Sequence, residues 1–133
     1  MRDLYTKLPF PPSLWQAYKQ RGYSKYKSAE YVAFQEQCLA ALAKAKFVFP
    51  KENELYIDII LFSSKWYNKD GSIKERDLDN YLKCVIDTIV VYCRRYDKTF
   101  DDRKIFSLSA SKRVLKGSDD YCLVSLSARD PRE

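Results

Sequence analysis

Residues 55–62 read Leu-Tyr-Ile-Asp-Ile-Ile-Leu-Phe, and this stretch decides what kind of fold the chain can form. Every second residue from Leu55 to Leu61 is aliphatic, and most of the residues between them are also apolar. Alternation with a period of two is typical of a β-strand, because successive side chains point to opposite faces of a sheet. A strand that is apolar on both faces belongs in the middle of a sheet, and we place residues 55–62 there.

Two helical patterns lie on either side of this strand in the sequence. Ser28 is a suitable N-cap, and apolar residues recur at helical spacing from Tyr31 to about Phe47. A second helix is predicted for about residues 80–92. Its buried stripe is expected to consist of Leu82, Val85, Ile86, Ile89 and Cys93.

The remaining patterns predict more strands. Residues 3–8, 105–114 and 121–127 are strand-like, and the last two runs are expected to pair with each other as a hairpin. Residues 18–27 are polar, basic and aromatic, and we interpret them as a loop. The order of elements predicts an α+β domain with two layers, in which two main helices pack on a mixed β-sheet.

Composition limits the possible functions. The chain has 133 residues, 46% of them hydrophobic, which suits a single domain over residues 1–133. It contains no histidine, which excludes imidazole-based nucleophile systems and histidine metal ligands. A formal net charge of +6 favours a polyanionic partner such as nucleic acid. The four cysteines are widely spaced in apolar stretches, so we expect buried free thiols in a cytoplasmic protein with no leader or membrane span.

Acidic residues are concentrated in two short segments. Asp77 and Asp79 lie two residues apart, so in an extended stretch both carboxylates project to the same side. Asp101 and Asp102 precede the strand-like run 105–114, and they would lie beside the first pair if that strand neighbours the one ending near Trp66. Clustered carboxylates need a cation, and few hard oxygen ligands suit Mg²⁺ or Mn²⁺. Such ions can activate water for phosphodiester hydrolysis without any histidine.

Basic residues surround the acidic segments. Residues 16–27 contain four cations interleaved with tyrosines and no acid, a pattern that suits phosphates and unpaired bases. The residues expected to contact DNA are Lys19, Arg21, Lys25, Lys27 and Arg76.

Three segments in order resemble the RusA family of Holliday junction resolvases. Residues 8–13, Leu-Pro-Phe-Pro-Pro-Ser, resemble its L-P-x-P-P-S motif, and residues 76–87 resemble its R-D-x-D-N-x-x-K-x-x-x-D core. Asp101-Asp102, followed by Ile105, resembles its D-D-x-x-[VI] segment. One departure is that the family often carries asparagine shortly after P-P-S, where this chain has Leu14-Trp15-Gln16.

The resemblance implies a RusA-like fold and Mg²⁺-dependent cleavage of four-way DNA junctions in recombination and repair, in a bacterial or phage-encoded protein. It also implies a homodimer, whose two-fold symmetry suits paired nicks. The implied catalytic and metal-binding acids are Asp77, Asp79 and Asp102, and the implied catalytic lysine is Lys83. Asp87 and Asp101 match less certain members of the site.

Other functions are compatible with the same residues. A non-catalytic nucleic-acid-binding module would bind in a salt-sensitive way and cleave nothing. A nuclease acting on flaps or replication forks would use the same site on other branched DNA. A small interaction protein would use Asp77 and Asp79 only to cap the second helix.

Overall fold

The computed structural model describes residues 2–47, 54–117, 119–129 and 132. The elements in chain order are β1 (Arg2–Pro9), α1 (Leu14–Ala17), β2 (Tyr18–Arg21), β3 (Ser24–Lys27), α2 (Ala29–Lys44), β4 (Glu54–Ser63), α3 (Asp79–Cys93), a 3-10 turn (Asp102–Lys104), β5 (Ile105–Val114) and β6 (Tyr121–Arg129).

A four-stranded mixed sheet, in the order β1-β6-β4-β5, forms one layer. β4 lies inside the sheet, parallel to β5 and antiparallel to β6, which confirms the prediction for residues 55–62. The predicted hairpin between the last two strands is wrong, because β5 and β6 pair with opposite edges of β4. Placing both strands beside β4 satisfies its backbone groups on both edges, and this outweighs the local preference for a hairpin.

α2 and α3 cover one face of the sheet. Leu55, Ile57, Ile59 and Leu61 of β4 are at most 2% exposed, whereas the residues between them on the other face are half-buried. The buried side chains of both helices and of this sheet face form one hydrophobic cluster. The structure therefore has the predicted two-layer α+β arrangement with two main helices.

The buried face of α3 is rotated relative to the predicted stripe. Val85, Ile89 and Cys93 are buried as expected, but Leu82 and Ile86 are only half-buried. Polar or aromatic residues can take their place in the core because they find hydrogen-bond partners there. Thr88 Oγ1 donates to the carbonyl of Cys84 at 2.7 Å, and the hydroxyl of Tyr92 donates to the carbonyl of Phe47 at 2.5 Å.

Two elements near the N-terminus differ from the expectation. Residues 18–27 are not a loop but a hairpin, in which β2 and β3 pair antiparallel and Gly22 makes the turn with a φ of 63°. α1 was not predicted, although its capping box was visible in the sequence as Ser13 and Gln16. These elements hold four of the five predicted DNA-contacting residues.

The four cysteines are buried and free, as predicted: Cys38, Cys84, Cys93 and Cys122. Burial raises the pKa of Cys38 and of Cys93 to about 12, so neither thiol supplies a nucleophilic thiolate at neutral pH. Within the described part of the chain, the helices are too short or too polar to cross a membrane.

Candidate active site

Arg76 anchors the backbone immediately before the first acidic pair. Its guanidinium lies 5.3–5.7 Å from the ring centres of Phe10, Trp66 and Tyr81. Its Nε also donates to the hydroxyl of Tyr81 at 2.9 Å. Cation–π contacts of this kind hold a guanidinium in one orientation. They therefore fix the position of the backbone just before Asp77.

The backbone of this segment is also tied to β5. The ammonium of Lys112 donates to the carbonyl of Arg76 at 2.5 Å, and Trp66 Nε1 donates to the carbonyl of Arg113 at 2.8 Å. Lys112 lies opposite Leu61, near the end of β4. The acidic pair at the start of α3 is therefore held near the end of the sheet at which β4 finishes.

Asp77 and Asp79 are exposed and have no hydrogen-bond partner for their carboxylates among the described residues. The N-cap position of α3 is occupied by Leu78, and no side chain makes a capping hydrogen bond there. No capping hydrogen bond therefore supports the interpretation that these acids cap the helix, although Asp79 lies in the first turn, where its charge favours the helix dipole. Their oxygens are open to solvent and available to a ligand.

Lys83 lies one turn further along α3 and is paired within the helix. Its ammonium is 3.1 Å from the carboxylate of Asp87. The hydrogen bond and charge of Asp87, with a smaller contribution from the charge of Asp102, raise the pKa of Lys83 above its usual 10.5. Lys83 is therefore a permanent cation at neutral pH, and it lies within electrostatic range of Asp102.

The two aspartates of the second acidic pair, Asp101 and Asp102, differ in their contacts. Asp101 accepts a hydrogen bond from the backbone of Arg103 and holds its guanidinium through both carboxylate oxygens, at 2.7–3.0 Å. These hydrogen bonds hold the pKa of Asp101 below its usual range. The carboxylate of Asp102 is exposed and has no hydrogen bond from the described residues. Asp102 is thus the available member of this pair.

The two acidic pairs do not converge within one chain. β5 does neighbour β4, as the expectation required, but the strands are parallel, so Ile105 lies beside Leu55 at the start of β4. The turn that carries Asp102 therefore precedes β5 near the start of β4, whereas Arg76 is bound by Lys112 near the end of β4. The charge of Asp102 nevertheless acts on Lys83, one turn beyond Asp79. No three acidic or cysteine side chains of the described residues come close enough to hold a metal ion together. The assignment of Asp77, Asp79 and Asp102 to one metal ion therefore stays a prediction.

A groove of about 370 Å³ joins the N-terminal hairpin to the start of α3. Asn80, the residue after Asp79, lines it together with basic and aromatic residues. The lining residues are Leu14, Trp15, Tyr18, Lys19, Gln20, Lys25 and Asn80. The basic segment and the acidic segment predicted from sequence therefore meet at this groove.

The predicted DNA-contacting residues are not equally available. Lys19 and Lys25 line the groove, and Arg21 is exposed near the tip of the hairpin. Lys27 donates to Gln35 Oε1 at 2.8 Å, and Arg76 is held in its aromatic surround. Lys27 and Arg76 thus have structural contacts that sequence reasoning did not reveal.

Comparison with known families agrees with this arrangement. The family model described as endodeoxyribonuclease RusA matches residues 9–124. The chain belongs to this family. The match to RusA covers both acidic segments, Lys83 and the N-terminal hairpin, and it confirms the resemblance drawn from the three motifs. No curated protein shows significant similarity to the chain.

Sequence reasoning did not assign a role to Trp15. It is 86% exposed and lines the groove beside the start of α3. The available signal was its place in Leu14-Trp15-Gln16, the segment at which the chain departs from the motif that it otherwise resembles. The aromatic surround of Arg76 was also missed, because its three rings come from separate segments of the chain, with Phe10 the most distant.

Proposed function

We propose that this RusA family nuclease resolves four-way DNA junctions by paired phosphodiester cleavage in recombination and repair. The observation that carries the proposal is that one groove has basic residues on one side and the first turn of α3 on the other. A DNA strand held by Lys19 and Lys25 passes Asn80, next to the exposed carboxylates of Asp77 and Asp79.

We further propose that cleavage requires Mg²⁺, with Mn²⁺ as a substitute. Asp77 and Asp79 supply the exposed hard oxygen donors that these ions prefer. When bound, such an ion would polarise the scissile phosphate and lower the pKa of water. Asp102 lies apart from them in one chain, so its part in metal binding stays a prediction.

Lys83 acts in this proposal as a cation and not as a base. Its raised pKa keeps the ammonium protonated, so it stabilises negative charge that develops on the phosphate during cleavage. Asp87 holds the ammonium in place through their 3.1 Å ion pair.

The proposed assembly is a homodimer of single domains, each spanning residues 1–133, because two symmetric sites are needed for paired nicks. The proposed location is the bacterial cytoplasm, including that of a phage-infected cell. Four free, buried cysteines suit a reducing compartment.

The deciding experiment measures nicking of a synthetic four-way junction with Mg²⁺ for wild type and Asp79→Asn. We expect Asp79→Asn to cleave at least about 100-fold more slowly than wild type. Even the loss of a residue that only orients a metal ligand lowers activity about 10- to 100-fold. Glu36→Gln, which neutralises an exposed carboxylate on α2, is the matched control and keeps wild-type activity. Equal cleavage by wild type and Asp79→Asn would overturn the proposed site.

The substrate is tested with the same proteins on a flap, a fork and a linear duplex. Preference for the four-way junction supports junction resolution, and preference for a flap or fork assigns the same site to other branched DNA. Salt-sensitive binding without cleavage under any divalent ion would instead indicate a non-catalytic binding module.

A further inference from the structure

Trp15 is by far the more exposed of the two tryptophans. It is 86% exposed, whereas Trp66 is 4% exposed and packs beside Arg76. Burying a tryptophan side chain is among the largest apolar gains available to a protein, so an isolated exposed ring beside a charged groove points to a binding role.

The ring lines two grooves of different charge. The groove towards α3 also contains Lys19 and Lys25, and its lining residues include no acid. The groove towards α2, of about 470 Å³, shares Lys19 but contains Glu30 in place of Lys25. A strand with a phosphate backbone is therefore favoured on the α3 side, where two ammonium groups lie beside the aromatic ring.

A second ring, that of Tyr18, lies beside Trp15 and lines both grooves. Tyr18 lines the α3-side groove, and its ring makes an edge contact with buried Tyr31 at a centroid distance of 5.5 Å. The ammonium of Lys25 lies 5.6 Å from the centre of the Tyr18 ring. The hairpin thus presents a cation and an aromatic surface together, which is the combination that single-stranded nucleic acid requires.

We propose that the α3-side groove binds an unpaired nucleotide of the DNA substrate. The base stacks on the Trp15 ring, and the adjoining phosphates lie beside Lys19 and Lys25. This inference rests on the proposed function, since it states how the same site selects DNA with an opened branch point over a continuous duplex.

A continuous duplex does not satisfy this site. Its bases are stacked on each other, so only its phosphates reach the lysines, and the Trp15 ring gains nothing. An unpaired or easily unstacked nucleotide supplies a free base face, and stacking on an aromatic side chain is tolerant of sequence. The groove therefore adds affinity only where the DNA duplex is interrupted. It would hold that interruption next to the start of α3.

The first test is tryptophan fluorescence of the full chain in EDTA, so that no cleavage occurs. A dT oligomer of about ten nucleotides is added, a length within the usual range for one single-strand site. We expect it to quench the emission and to protect it from acrylamide, and a blunt duplex of the same length to do neither. In Trp15→Phe only buried Trp66 emits, and the oligomer should leave that signal unchanged.

The second test compares the affinities of variants for the same two DNAs. Trp15→Ala is expected to weaken binding of the dT oligomer by about 5- to 150-fold, while duplex binding stays within about 2-fold. Trp15→Phe keeps a ring and loses less. Tyr5→Ala is the matched control, because Tyr5 is 73% exposed but lies on the sheet face opposite the helices.

Three results would overturn the inference. They are unchanged Trp15 emission with the oligomer, equal weakening of oligomer and duplex by Trp15→Ala, or a Trp15 already shielded from acrylamide without DNA. The last result would assign the ring to a contact between protein copies. Failure of the proposed function is separate: a protein that stacks the oligomer on Trp15 but never nicks a junction keeps this inference and loses that one.

Discussion

The aspartate pair at the start of α3 and the aspartate pair before β5 differ in how much of each pair the folded chain already uses. Asp77 and Asp79 have no hydrogen bond to their carboxylates from the described residues. Asp101, in contrast, is bound on both oxygens by Arg103 and caps a 3-10 turn, which leaves only Asp102 available.

This difference shows that local partners, and not the spacing of acids, determine which carboxylates can act on a ligand. A bidentate pair with a guanidinium must be broken before Asp101 can bind anything else. The first pair needs no such rearrangement. The comparison therefore predicts different consequences for substitutions that look alike in sequence.

The largest difference in cleavage rate is expected when the two aspartates of the second pair are substituted one at a time. Asp102→Asn should lower junction nicking by about 100-fold, as expected for a carboxylate at the reacting centre, whereas Asp101→Asn should stay within about 3-fold. Single-turnover nicking with saturating protein measures both. Equal loss in the two variants would mean that the Arg103 pair opens when DNA binds, and the comparison would then fail.

Lys83 is expected to give the next largest effect, because it lies one turn after Asp79 and is within range of the charge of Asp102. Lys83→Met should lower nicking by about 10- to 100-fold, and Lys83→Arg should recover part of this loss, because it restores the positive charge. Since the pKa of Lys83 is above 10.5, the rate should show no lysine ionisation between pH 7 and 9.

The control for this prediction is Lys44→Met, which removes an exposed ammonium from the last turn of α2. It should cleave like wild type. If Lys83→Arg were as inactive as Lys83→Met and the wild-type rate showed a base ionising below pH 9, a neutral lysine acting as a base would be the better interpretation.

The sequence was sufficient to predict the two-layer α+β fold, because β4 is apolar on both faces and both main helices have caps or clear periodicity. It did not predict that β5 runs parallel to β4. That choice depends on the crossover through α3, and the local turn favoured a hairpin instead. This choice also affects the site, since parallel pairing places the turn that carries Asp102 near the start of β4 and not near its end.

The candidate site residues were named from motifs, but their availability was not visible in the sequence. Arg103 follows Asp101 by two residues, and only the 3-10 turn brings its guanidinium back onto that carboxylate. The aromatic surround of Arg76 combines Trp66 and Tyr81, from segments on either side of it, with the distant Phe10. Long-range contacts of this kind have no periodic signal.

The smallest effect tests the comparison through stability alone. Asp77→Ala should leave the Tm within about 1 °C of wild type at pH 7, because its exposed carboxylate has no hydrogen bond or ion pair with the described residues. Asp101→Ala should lower the Tm by about 3 °C, since it removes a cap and the pair with Arg103. Thermal unfolding followed by circular dichroism measures both.

The pH dependence identifies the cause of the second change. The pKa of Asp101 is lowered in the folded state, so its contribution to stability is fully present above the unfolded value of about 3.8. It is lost as the pH falls through the folded-state pKa. The Tm difference between wild type and Asp101→Ala should therefore be constant from pH 5 to 7 and shrink towards pH 3. A Tm loss in Asp77→Ala as large as that in Asp101→Ala would show that the first pair also serves the fold, and the capping interpretation would regain its support.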